Sequence, residues 1–287
     1  MSDFITKSIF EILSQNTTEA ELAWLEQKSK AESMEVMTAF VACPRFLSKT
    51  ILQPTAEAAA NLQMELPGFS VQGWSLVRLA RVWLLTQLDS SDKDVYVNQI
   101  NTLFDTAELN ELVALYSALP LLSCPDQWLF RATDAVRSNM GFVFDAIALR
   151  NPYPEKYFSE SAWNQLVMKT IFNDKPVNLL EGLDNRANDN LAFILSDFAH
   201  ERWAAGRSVP AQVWRLTSPF LNETLVNDMR HLLESNVTDD QHAAALVCYE
   251  SGYEPALNLL AQYPELKNQV SSGKIAWADF ETNDLNA

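Results

Sequence analysis

Glycine is the residue this chain does largely without, with 7 in 287 positions. That scarcity argues against a turn-rich β architecture and against the glycine-rich loops that cradle phosphates, and no GxGxxG, P-loop or GxSxG pattern occurs. Histidine is rarer still: His200, His231 and His242 are the full set, which leaves little from which to build a metal centre. The three cysteines, Cys43, Cys124 and Cys248, are odd in number and far apart; they fit free thiols in a reducing compartment. Cations are also in deficit, 21 Lys+Arg against 37 Asp+Glu, for a net charge of -16. Such a field opposes phosphate backbones and anionic lipid surfaces, so nucleic acid is not an expected partner. No stretch approaches about 18 uninterrupted apolar residues, so direct membrane insertion is not expected either. The opening MSDFITKSIFEIL is too short and too polar for a signal peptide. A cytoplasmic location is the expectation.

What the chain does have is helical periodicity nearly throughout, on a composition that is 48% hydrophobic and can bury a substantial core. Phe4–Leu13 reads as a first amphipathic helix. Thr17 or Thr18 caps a second, to about Lys30, and Glu21 completes a capping box with Thr18. Glu32–Val41 is a third, stopped near Pro44. Gln72–Leu88 is apolar almost all round and should be buried on most sides. Asp92–Phe104 and Glu108–Ala118 form a pair. Gln127–Arg150 reads as one long helix with Leu129, Ala132, Val136, Met140, Val143 and Ile147 in a single stripe. Asn151-Pro-Tyr-Pro154 reads as a rigid extended connector, because each proline disfavours helix in the residue before it. Beyond it the chain settles into helix pairs, with Gly252 as the αL cap between two of them. Helices of about 10–20 residues in antiparallel pairs with short loops define an all-α fold, expected as an irregular α-solenoid, a superhelix of HEAT- or armadillo-like pairs. We read residues 1–278 as one domain, with possible lobes 1–150 and 151–278, followed by a disordered acidic tail over 279–287.

The densest chemistry lies between Asp184 and Arg215. Asn188 caps a helix running to Ala205, ended by Gly206 and Pro210. At about 100° per residue, Leu191, Ile194, Leu195, Phe198, Ala199 and Ala205 share one face, and Arg202 falls near its middle. Asp197, His200 and Glu201 fall opposite, with Ser196. Their spacing would suit a metal, yet on a polar face such residues are ordinarily solvated. Arg202 is the anomaly, because a guanidinium on an apolar face needs a partner or a ligand. Arg78 and Arg81 pose the same question on the Gln72–Leu88 helix. Either an internal carboxylate or carbonyl locks each one, or donors remain free toward a cavity walled by Trp74 or Trp163. Such a cavity would suit an anionic, partly aromatic or prenylated metabolite, since guanidinium forks grip phosphate or carboxylate and indoles take apolar groups.

Several short runs resemble the EboA domain family: Asn151-Pro-Tyr-Pro154, Tyr157-Phe158, Ala162-Trp-Asn-Gln165, Lys169, Gly182-Leu-Asp184, Arg186-Ala-Asn188, Ala199-His-Glu-Arg-Trp-Ala-Ala-Gly-Arg207 and Trp214-Arg215. Upstream, Arg78-Leu-Ala-Arg81, Ala114-Leu-Tyr116 and Leu119-Pro120 are similar to it too. The resemblance spans most of Trp74–Gly252, and the first 70 residues add little. It implies a bacterial metabolite-traffic protein that helps move secondary-metabolite precursors out of the cytoplasm, beside enzymes of prenyl transfer, sugar-phosphate cyclisation and phosphate-ester hydrolysis. It carries over no catalytic residue and no cofactor. The expected activity is therefore non-enzymatic binding or adaptation, with a small-molecule metabolite or pathway proteins as partners. Candidate ligand contacts are Trp74, Arg78, Arg81, Trp163, Asn164, Arg186 and Arg202. Two alternatives stay open: an acid/base- or metal-dependent enzyme using Asp197, His200 and Glu201, and a structural subunit of a pathway complex.

Overall fold

The computed structural model describes residues 3–281. Among these residues the fold is all-helical, with no strand; Ile51 and Ser75 form an isolated antiparallel bridge. The chain divides into two compact units, Met1–Ser159 and Glu160–Ala287.

The first unit holds α1 (Asp3–Asn16), α2 (Glu19–Ser29), α3 (Ser33–Phe46), α4 (Ala56–Glu65), α5 (Leu76–Leu85), α6 (Lys93–Thr106), α7 (Leu109–Ala118), α8 (Leu129–Arg137), α9 (Gly141–Ala148) and α10 (Tyr153–Tyr157). α5 is its centre. Nine of its ten residues are buried, all but Arg78, because α1, α2, α3 and α7 all pack on it. A helix apolar on every side has no other stable place. Its start is fixed by Ser75, whose hydroxyl accepts from Arg78 N at 3.2 Å, and α2 starts at the expected Thr18–Glu21 capping box.

Three expectations fail here, each for a local reason. Pro44 does not end α3; the helix runs on to Phe46 with the proline inside it. The 127–150 helix is two helices with a break over 138–140. Ser138 Oγ turns back on Ala135 O at 2.9 Å and its backbone N–H bonds to both Asp134 O and Ala135 O, so a serine competes with the helical ladder just before Asn139 and Gly141. The buried stripe survives as Ala132, Val136, Val143 and Ile147, while Met140 is exposed. The Asn151–Pro154 run is not extended. It opens α10, with Pro152 at the N-cap and Pro154 in the first turn, where a missing N–H is harmless. Buried Asn151 fixes this corner: Nδ2 donates to Tyr116 O at 3.1 Å and Ala146 O at 2.8 Å, and Oδ1 accepts from Tyr153 N at 3.0 Å.

The second unit holds α11 (Glu160–Phe172), α12 (Asp189–Ala204), α13 (Glu223–Leu233), α14 (Thr238–Glu250), α15 (Glu254–Leu260) and α16 (Pro264–Ser271), with 3-10 segments at Val177–Leu179, Ala211–Phe220 and Trp277–Phe280. α14 is its hub: α13, α15, α16 and the Ala211–Phe220 segment all pack on it, and Ala243–Cys248 is buried without interruption. Of the expected tail, residues 282–287 lie outside the described residues. Its first residues are anchored: Asp279 Oδ2 accepts from Ala276 N at 2.8 Å, and Ile275 just ahead is buried.

Candidate functional site

The candidate residues fall into two sets, one in each unit. In the first, Arg78 and Arg81 stand one turn apart on α5 and meet different surroundings. Arg81 is 3% exposed. Its Nη2 pairs with Glu111 Oε1 of α7 at 3.0 Å and its Nε donates to Phe40 O of α3 at 3.0 Å. Burial pushes its pKa down and Glu111 opposes that. It is a scaffold tie between three helices.

Arg78 differs. Its Nε and Nη2 both donate to one acceptor, Ser117 Oγ of α7, at 3.0 and 2.7 Å. Its Cζ lies 3.9 Å from the centre of the Trp74 ring. Among the described residues no carboxylate lies within ion-pairing distance of it. Burial pushes its pKa down to about 9, with the Asp145 carboxylate acting the other way. A cation held by one hydroxyl and an indole face keeps guanidinium donors without a protein acceptor among the described residues.

In the second unit, Trp163 and Asn164 lie side by side on α11, both buried. Arg186 Cζ lies 5.1 Å from the Trp163 ring. Trp163 Nε1 is buried with no hydrogen-bond acceptor among the described residues. Asn164 and Asn188 bond amide to amide, at 3.1 and 2.8 Å, while Asn188 also caps α12 by accepting from Leu191 N at 2.9 Å. Arg202 does not reach this group. Its Nε donates to Ser208 O at 2.6 Å and it lies over the Phe198 ring at 5.6 Å, the carbonyl-satisfied arrangement.

The polar side of α12 is partly as expected. Asp197 and Glu201 are exposed. Ser196 is not on the solvent side: it is 2% exposed, because Asp228 of α13, itself buried, accepts from its hydroxyl at 2.5 Å and bonds His200 Nε2 at 2.6 Å through its other oxygen. Trp203, one turn on, packs on His231 at 4.2 Å and stacks on Trp214 at 5.8 Å. Asp228 was invisible as a partner because it lies 28 residues from His200.

Two cavities in this unit involve none of the expected residues. One, of about 250 Å3, lies between Ile171–Val177 and Pro210–Val213. The other, of about 210 Å3, is lined by Gly182, Asp184, Arg215 and Glu281 among others. Arg215 stands among the residues that carried the family resemblance, but its partners Asp184 and Glu281 lie 31 and 66 residues away in sequence.

Among the described residues the fold is all-helical, with Arg78 and Arg186 set against the rings of Trp74 and Trp163. The family model described as "Metabolite traffic protein EboA" matches residues 5–218, and the chain belongs to that family. The match takes in residues 5–73, ahead of the span read from the sequence, and it ends before Gly252. Comparisons with curated proteins and with solved structures find no match.

Proposed function

We propose that this chain is a non-enzymatic binding or adaptor protein that assists traffic or export of a secondary-metabolite precursor, and that it holds an anionic end of that molecule at Arg78 against Trp74. One observation carries the reading: Arg78 is the arginine on α5 whose charge has a hydroxyl and an indole face for company and no carboxylate. The family description supplies the traffic role. The order of helix contacts within each unit, near neighbours in sequence packing on one another, supports the irregular α-solenoid reading, and such stacks present concave binding faces. Trp163, Asn164 and Arg186 belong to the proposal as a second contact group; Arg81 and Arg202, held by Glu111 and by the Phe40 and Ser208 carbonyls, do not.

Calorimetry with inorganic pyrophosphate and a short isoprenoid diphosphate tests the reading. Arg78→Gln weakens binding roughly ten- to a hundredfold, the range of a lost charge-assisted hydrogen bond, and Arg78→Lys restores part of it while losing the fork. Unchanged affinity in a well-folded Arg78→Gln protein refutes the site. Co-purification from the native host, with and without metabolite, separates a carrier from a purely structural subunit.

A second reading, acid–base chemistry on the Asp197/His200/Glu201 face, has one observation in its favour. The buried Asp228 carboxylate orients the His200 ring and leaves that ring about half exposed, at 48%, as a carboxylate orients a catalytic imidazole. Turnover of a pathway intermediate that His200→Gln abolishes, with the fold intact, would establish it.

A further inference from the structure

We infer that the cavity at Arg215 is a second binding site, for the carboxylate of a small organic acid, and that Glu281 of this same chain occupies it as an internal competitor. Arg215 lies in the Ala211–Phe220 segment with its side chain 15% exposed. Its two terminal nitrogens go to different carboxylates, Nη2 to Asp184 Oδ2 at 2.6 Å and Nη1 to Glu281 Oε1 at 2.9 Å. Its Nε is buried and has no acceptor among the described residues. A guanidinium fork that serves two separate carboxylates by one prong each, with a third donor unused, has not reached the bidentate grip it makes with one well-placed carboxylate.

The two carboxylates are not equivalent. Asp184 follows Gly182 in the wall of the cavity, and both it and Arg215 lie inside the span matched by the family. Glu281 lies outside that span, on a strap that is anchored before it arrives. Ile275 is buried, Trp277 Nε1 donates to both oxygens of Glu250 at 2.9 and 2.8 Å, and the Trp277 ring stands 5.9 Å from Arg215 Cζ. Glu281 follows those anchors, so its carboxylate can leave Arg215 without undoing them. The cavity of about 210 Å3 beside the pair gives an incoming acid room for its body, and an incoming carboxylate in Glu281's place preserves the local charge balance. A phosphate dianion would add charge beside Asp184 and is disfavoured.

Calorimetry on the full chain tests this, with benzoate as the carboxylate and inorganic phosphate as the contrasting anion. Glu281→Ala raises benzoate affinity at least tenfold over wild type, while Glu265→Ala, an exposed carboxylate on α16, leaves it unchanged. Adding Arg215→Gln to Glu281→Ala abolishes the gain. If that double variant does not fold, Arg215→Lys in its place keeps the charge and loses the fork, and benzoate binding falls back toward the wild-type value. The inference is overturned if Glu281→Ala binds benzoate no better than wild type, if the gain survives loss of the Arg215 fork, or if phosphate gains as much as benzoate.

Discussion

Arg81 Nε donates to the carbonyl of Phe40 at 3.0 Å, and that carbonyl is available because Pro44 is four residues further along α3. In an ordinary helix the N–H at position 44 would take it. Proline has none, so an arginine from α5 fills the gap that would otherwise have marked the helix end. The second half of the fork then meets Glu111, and three helices are joined through one side chain.

Breaking that junction from one side is expected to be severe. Glu111→Ala leaves the Arg81 charge buried and should cost about 3–5 kcal/mol in urea unfolding. Arg81→Met with Glu111→Leu removes both charges and should cost less, about 1–3 kcal/mol, the remainder being the Phe40 carbonyl left without a donor and the Glu108 N–H left without the Glu111 cap. A double variant as unstable as the single one would show that the pair's net contribution is larger than argued.

Asp228 should behave as a clasp between α12 and α13. Asp228→Ala strands the buried Ser196 hydroxyl and frees the His200 ring, and should cost about 1.5–3 kcal/mol, whereas Ser196→Ala should cost about 1 kcal/mol. Equal effects from the two variants would place the stabilisation in the serine contact alone.

Phe198 is 6% exposed, under Phe172 at 5.0 Å and Arg202 at 5.6 Å. Phe198→Ala should lower stability by about 3–5 kcal/mol. A loss below about 1 kcal/mol would mean that Phe172, itself 61% exposed, collapses into the space.

Thiol chemistry gives a test in pH. Burial pushes the Cys43 and Cys248 thiols up to about 12 from an ordinary 9.0, with Arg81 pulling Cys43 the other way, while Cys124 is only half-buried. At pH 8 a disulfide reagent should titrate Cys124 readily in the native protein and all three cysteines after unfolding. Because the two folded-state values are raised, the unfolded chain loses these protons first. Their contribution is complete below about pH 9 and is lost as pH rises toward 12. Cys43→Ala/Cys248→Ala should flatten that part of the stability profile; an unchanged slope would assign it to the tyrosines Tyr96, Tyr116 and Tyr153, which burial also pushes up.

What could be read from the sequence was what is decided within one helical turn. The Thr18–Glu21 box, the Asn188 cap, and the αL glycines Gly206 and Gly252 depend on neighbours three or four positions away. The continuation of α3 through Pro44 depends on Arg81, 41 residues distant from the carbonyl it bonds, and no local rule contains it. The split of the 127–150 helix was hidden because the apolar stripe resumes in register after the break. At the candidate sites the same division holds. Arg78, Arg81 and Arg202 stood out as cations on apolar faces. Whether each meets a hydroxyl, a carboxylate or a carbonyl was set by Ser117, Glu111 and Ser208, two of them on another helix.

The Asn164–Asn188 pair has a consequence for how this sequence can drift. Each amide supplies both the donor and the acceptor that the other requires, and Asn188 must also keep an oxygen facing Leu191 N. Loss of Asn188 leaves the buried Asn164 amide beside Trp163 with nothing to bond, whereas loss of Asn164 leaves Asn188 its bonds to Arg186 O and Leu191 N. The constraint therefore runs one way: homologues that lose the acceptor at the α12 cap should also lose Asn164, while Asn188 can persist opposite another residue on α11.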